Sequence, residues 1–196
     1  MVKKILKLLI DDHHMRQKAN YIKYLISGKG SALNYRPLTV SVVSTTRCTL
    51  SCDMCPTHSG MVPKDYKWRQ TAAKDMDFKL FKKTVDFFRE ALSVHIIGAG
   101  EPMLNKDFFQ MVDYANRKRK MEVKTFSNGT TVAENMENLI GSNLNSITIS
   151  VNGHDKREYA RLTGMPEKVF EKINRAAKEL IEEKNHKKKG MRVKLS

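Results

Sequence analysis

The chain has 196 residues, is 40% hydrophobic, and sets 36 Lys and Arg against 21 Asp and Glu, a formal net charge of +15. That length suits one domain with a real core and leaves little for a second. No apolar run approaches the roughly 18 residues of a membrane span, and the charge favours acidic partners: nucleic acid, an anionic surface or an acidic redox protein.

Residues 1 to about 27 read as helical. Ile5, Leu8 and Leu9, then Tyr21, Ile22, Leu25 and Ile26, recur at helical spacing until "SGKGS" (27–31) stops the pattern. The start, "MVKKILKLLIDDHH", has a short apolar run broken by Lys7 and no small-residue cleavage site, so it does not read as a signal peptide. Residues 1–36 are therefore expected to form an N-terminal helical extension, with 37–196 as the main domain. The expected compartment is the reducing cytoplasm, where clustered thiols serve metal or redox chemistry.

A repeating plan follows. "LTVSVV" (38–43) is a β-branched strand, and 75–92 a helix with Asp75 or Asp77 as its cap and Phe81, Val85, Phe88 and Leu92 on one face. A strand at 94–98, a helix at 106–120, a strand at 122–126 and a short helix at 131–142 come next. A strand at 146–151, a helix at 166–184 with Pro166 in its first turn, and the start of a fifth strand at 191–196 complete the chain. Alternating strands and helices predict an α/β fold with a parallel sheet: a partial (β/α) barrel of four complete units plus the start of a fifth strand.

In such folds chemistry collects at the carboxyl ends of the strands. After the first predicted strand comes "CTLSCDMC", which holds every cysteine of the chain: Cys48, Cys52 and Cys55. "GAGEP" (98–102), "SNGT" (127–130) and "SVNGHD" (150–155) follow the next three strands. Four polar, glycine-bearing loops on one end of a sheet predict a cofactor pocket. Soft thiolates at Cys-x3-Cys-x2-Cys spacing fit zinc or an iron–sulfur cluster. The zinc reading takes His58 as fourth ligand and makes the chain a non-enzymatic interaction module. The cluster reading leaves one iron without a protein ligand, open to a small molecule.

The three cysteines after a first strand, a GGEP-like motif after the second and a small polar turn after the third resemble the radical S-adenosylmethionine (radical SAM) enzymes over roughly residues 37–196. "CDMCP" is similar to members with a C-terminal SPASM or Twitch domain. The resemblance implies a [4Fe-4S] cluster on Cys48, Cys52 and Cys55. It implies that the backbone at Met54 touches the adenine of S-adenosyl-L-methionine, and that Gly98, Ala99, Gly100, Glu101 and Pro102 match the GGEP motif, where Glu101 or nearby backbone takes the methionyl amino group and Gly100 allows close backbone approach. Ser127 and Asn128, and likewise Ser150 and Asn152, would reach the ribose or carboxylate, and Arg161 would neutralise the carboxylate. Bland readings stand beside these: turns at Gly98 and Gly129, an Asn152–Gly153 turn, and a surface role for Arg161.

The implied function is reductive cleavage of S-adenosylmethionine and hydrogen-atom abstraction through a 5′-deoxyadenosyl radical, on a peptide, protein or small metabolite. An acidic flavodoxin- or ferredoxin-type protein would donate the electron. RNA modification is the alternative that the net charge raises. The family core normally has six β/α units, so the chain is expected to be C-terminally short of it.

Overall fold

A computed structural model of the protein describes residues 14–27, 34–63, 65 and 74–196. The elements are α1 (Met15–Ile26), β1 (Thr39–Thr45), α2 (Phe78–Phe87), β2 (Ser93–Gly98), a 3-10 turn (Pro102–Leu104), α3 (Phe108–Asp113) with a π-helical turn (Tyr114–Lys118), and β3 (Glu122–Ser127). α4 (Met136–Gly141), β4 (Ser146–Ile149), α5 (Lys156–Thr163), α6 (Glu167–His186) and β5 (Arg192–Leu195) follow. The strands form one sheet in the order β1-β2-β3-β4-β5, and every neighbouring pair is parallel. An unreversed order is that of a (β/α) barrel wall; a doubly wound sheet would switch direction partway. The α/β partial barrel is thus the fold.

One face of the sheet carries the core. Val42, Val94, Ile96, Val123, Ile147 and Ile149 alternate along their strands and pack with Phe81, Phe108, Met111 and Leu139 from the helices. α6 contributes Ile173, Ala176, Ala177 and Leu180, a buried i, i+3, i+4, i+7 stripe. α2 starts at Asp77, whose carboxylate accepts from Leu80 N at 2.8 Å.

Three elements differ from expectation. The helix expected at 106–120 is α-helical only to Asp113; the wider turn after it lets the Tyr114 hydroxyl donate to Asp86 Oδ1 at 2.6 Å and Arg119 Nε to the same atom at 2.6 Å. The helix expected from 131 starts at Met136, because Thr131 is held in the turn that follows Gly129, where φ is +82°. α5 matches a helix start expected at His154, but its extent was not anticipated and its N-cap is Asp155. Its signals are present: Asp155 accepts from Arg157 N and Glu158 N at 2.8 and 2.9 Å, and Gly164 closes it at φ +70°.

Residues 1–13 of the expected N-terminal helix and most of "SGKGS" lie outside the described residues. Two buried amides, rather than an apolar stripe, fasten α1 to the amino ends of the strands. Gln17 Nε2 donates to Ala91 O at 2.7 Å and Arg119 O at 2.9 Å. Asn20 Nδ2 donates to Arg36 O at 3.0 Å and Glu90 O at 3.2 Å, while Asn20 Oδ1 accepts from Arg36 N at 2.7 Å. Removing an amide that satisfies buried backbone groups costs about 1–3 kcal/mol. We expect Asn20→Ala to lower stability by about 2 kcal/mol in urea denaturation, with proteolysis within 14–36 as the earliest local change.

Candidate active site

The cysteine loop leaves the carboxyl end of β1 and is closed by one peptide of the next loop. Ala99 N donates to Thr45 O at 3.0 Å, ahead of the cysteines. Ala99 O accepts from Thr57 Oγ1 at 3.2 Å and from His58 Nε2 at 2.9 Å, beyond them. Glu101 N donates to Arg47 O at 2.8 Å. A Cβ at Gly100 would lie 2.0 Å from Arg47 O, so only glycine permits this approach. Arg47 is held by Asp75, whose carboxylate accepts from its Nη2 at 2.6 Å and its Nε at 3.1 Å, and by the Leu104 carbonyl. Asp75 thus anchors the loop, and Asp77 alone caps α2.

Glu101 joins this assembly to the third loop. Its side chain is fully buried. Its oxygens accept from Ser127 Oγ at 3.0 and 3.1 Å, Asn128 N at 2.8 Å, Thr131 Oγ1 at 3.2 Å and Met103 N at 3.4 Å. Burial pushes the carboxyl pKa up, against these donors, which favour the ionised form. The side chains of Glu101 and Ser127 therefore face each other inside the protein.

Asn128 reaches the cysteines. Its Nδ2 donates to Thr49 Oγ1 at 3.0 Å and contacts Cys48 Sγ at 3.6 Å, while its Oδ1 accepts from the Thr130 hydroxyl at 2.7 Å. Thr49 and Thr130 share a hydroxyl–hydroxyl bond of 2.6 Å. From the fourth loop, Asn152 Nδ2 lies 3.9 Å from Cys52 Sγ. α5 adds a backbone tie, Asp53 N to Leu162 O at 2.9 Å.

Each thiol thus has its own donors. Cys48 also receives Leu50 N at 3.4 Å, and Cys55 receives His58 N at 3.3 Å beside the Thr57 hydroxyl at 3.2 Å. Burial raises the pKa of Cys48 and Cys52. Burial acts the same way on Cys55, but the Thr57 hydroxyl and the N–H groups that follow outweigh it and lower that thiol's pKa. Among the described residues no three His, Cys, Asp or Glu side chains gather around a single metal-ion position. His58 gives its Nε2–H to Ala99. The four-ligand zinc site expected as an alternative is not formed. Three separately held thiols fit a polynuclear cluster, which takes one thiolate per iron. Tyr159 is buried, and burial raises its phenol pKa, with Cys52 adding to the rise and a hydrogen bond with Thr163 opposing it.

The remaining expected residues divide. Met54 is exposed beside the cysteines, and Pro102 is buried at the start of the 3-10 turn. Ser150 N donates to Ser127 O at 2.8 Å, and its hydroxyl meets that of Ser196 at 3.3 Å. Arg161 stands apart: its side chain is 70% exposed and reaches Glu158 at 3.9 Å. Thr49, Thr57, Thr130, Asp75 and Tyr159 were not named for the site; the placement of Thr49 and Thr57 within or just after the cysteine run, and of Thr130 in the SNGT turn, hinted at three of them.

The profile of the Radical SAM superfamily matches residues 42–192, and the chain belongs to that superfamily. Membership implies S-adenosylmethionine and an iron–sulfur cluster as cofactors, and the donor set just described suits them. Among solved structures the chain is similar to Streptococcus suis SuiB bound to S-adenosylmethionine, at 19% identity over 81% of this chain and 33% of that one, TM-score 0.58. It is similar to SuiB bound to the precursor peptide SuiA, at 20% identity over 92% and 35%, TM-score 0.57. Native anSMEcpe with bound AdoMet gives 22% identity over 81% and 44%, TM-score 0.62. The chain thus spans less than half the length of each of these proteins. No curated protein matches it.

Two outcomes follow from this geometry. Before cluster assembly, iodoacetamide should label Cys55 at lower pH than Cys48 and Cys52, because only its pKa is depressed, and Thr57→Val should move that onset upward, as read by mass spectrometry. Glu101→Ala leaves several buried donors without an acceptor, so stability should fall by about 3 kcal/mol or more in urea.

Proposed function

We propose that the chain performs radical S-adenosylmethionine chemistry, with Cys48, Cys52 and Cys55 each binding one iron of a [4Fe-4S] cluster. The observation that carries this reading is the cysteine loop itself: three thiols, each with separate donors, at the carboxyl ends of a parallel barrel wall. When bound, the cluster and S-adenosylmethionine together supply a 5′-deoxyadenosyl radical that removes a hydrogen atom from substrate.

The residues of this chain bind and orient. Asn128, Asn152 and the N–H groups of Leu50 and His58 donate toward the three sulfurs and favour their thiolate forms. Gly98 and Gly100 let the backbone come close, at the position proposed for the methionyl amino group. Glu101 and Ser127 act from behind, fixing the loops, while the Asn128 and Asn152 side chains and the Ser150 backbone line the space left for ribose and carboxylate. Met54 offers its backbone to the adenine. Arg161, exposed at the end of α5, would have to swing inward to meet a carboxylate.

The substrate we propose is a peptide or protein, a reading supported by the likeness to SuiB, which is seen with its precursor peptide SuiA. An acidic flavodoxin- or ferredoxin-type donor suits the net charge of +15. Among the described residues no helix is long and apolar enough to cross a membrane.

The test is anaerobic loading with iron and sulfide, followed by dithionite and S-adenosylmethionine. We expect about four irons per chain and 5′-deoxyadenosine as product, with each of Cys48→Ala, Cys52→Ala and Cys55→Ala losing both. Uptake of zinc with no iron would overturn the reading.

A further inference from the structure

The helix-covered face of the sheet is fully used by the core, but the opposite face carries a second pattern that the cofactor reading leaves unexplained. Strand register sets it out in rows. Nearest the cysteine loop, Val43 pairs with Ile97 on β2, and Phe126 pairs with Thr148 and, through it, Lys194 on β5. One step deeper, about 7 Å down the strands, Ser41, His95, Lys124, Ser146 and Arg192 are aligned.

These rows are chemically lopsided. On the β1–β3 side the upper row is apolar and open to solvent: Val43 is 43% and Phe126 48% exposed, and the His95 ring packs edge-on to Phe126 at 6.2 Å. On the β3–β5 side the rows are cationic. Lys124 Nζ lies 3.0 Å from Glu122 Oε2, and the Arg192 guanidinium is bonded to the other oxygen of the same carboxylate. Glu122 is the one acid for both, and burial, which pushes its carboxyl up, is outweighed by those two cations, which hold it low. Lys194 has no acidic partner among the described residues and is exposed. Lys124 and Arg192 thus share one carboxylate, and Lys194, one row nearer the cysteine loop, adds a third cation to this side of the face. Burial, and then the positive field of Lys124, lower the His95 pKa, against the nearby Glu122 carboxylate, which raises it.

We propose that the substrate carries an anionic group, a carboxylate or a phosphate, bound on this face by Lys124 and Lys194. The proposal rests on the radical chemistry proposed above and adds the substrate's charge and orientation. Its reacting carbon lies over the apolar collar of Val43, Ile97 and Phe126, because that side adjoins the cysteine loop: Ser127 and Asn128 follow Phe126 directly, and Thr45 follows Val43 by two residues. Strands are spaced about 4.8 Å apart, so the anion sits about 10 Å across the sheet from the collar. In a peptide that distance corresponds to an acidic side chain about three residues away in extended chain.

The test uses the iron- and sulfide-loaded chain with S-adenosylmethionine present, titrated calorimetrically with glutarate and, separately, with inorganic phosphate at fixed ionic strength. Saturable binding of at least one is expected, weakened tenfold or more in Lys124→Gln/Lys194→Gln and unchanged in Lys79→Gln, a solvent-facing lysine on α2. Tighter binding of glutarate assigns a carboxylate, and tighter binding of phosphate a phosphate. The single variant Lys194→Glu, at an exposed position on the outer strand, should also abolish binding and covers the case in which the double variant folds poorly. No saturable binding of either anion, or equal affinity in wild type and Lys194→Glu, overturns the inference. The basal formation of 5′-deoxyadenosine by the wild-type chain separates the two proposals: if it persists without anion binding, the anionic seat alone is wrong, and if it is absent, the radical reading fails first.

Discussion

The site depends on one buried carboxylate. Glu101 lies out of contact with water, where an isolated charge is very costly and a hydrogen-bonded one is tolerable. Its donors come from three places: the 3-10 turn through Met103, the end of β3 through Ser127 and Asn128, and the following turn through Thr131. Ser127 and Asn128 are placed by the end of β3, and Met103 and Thr131 by the turns that follow β2 and β3. The carboxylate therefore draws separate loops into one arrangement, and Asn128, once positioned, reaches Thr49 and Cys48. The geometry of the first sulfur is set two bonds away from the cysteine.

A second constraint is backbone density. The Ala99 peptide closes the cysteine loop at both ends, and Gly100 lies so near Arg47 that a side chain cannot fit. The GAGEP stretch thus acts as scaffold at least as much as ligand surface. Its alanine can replace a glycine because the peptide groups, not the side chain, make the contacts.

The order of elements and the position of the site were readable in the chain. Strand runs such as "LTVSVV" and "SITISV" are β-branched enough to stand out, and three cysteines within eight residues have few uses. The direction of side chains was not readable. Nothing in "GAGEP" and "SNGT" says that Glu101 and Ser127 would turn toward each other, because that depends on tertiary register between β2 and β3. Equally, the extent of α5 was hidden behind the Asn152–Gly153 turn, although Asp155 and Gly164 bracket it. The cationic and apolar halves of the open sheet face come from five strands, and only their pairing brings Lys124 beside Glu122 and Arg192.

The central claim is that three thiolates, held separately, leave one iron of the cluster free for S-adenosylmethionine. The most direct measurement is the electron paramagnetic resonance spectrum of the dithionite-reduced, iron-loaded protein, recorded before and after S-adenosylmethionine is added. A cluster signal whose g values shift on addition is the predicted result. A cluster signal that S-adenosylmethionine leaves unchanged would contradict the account.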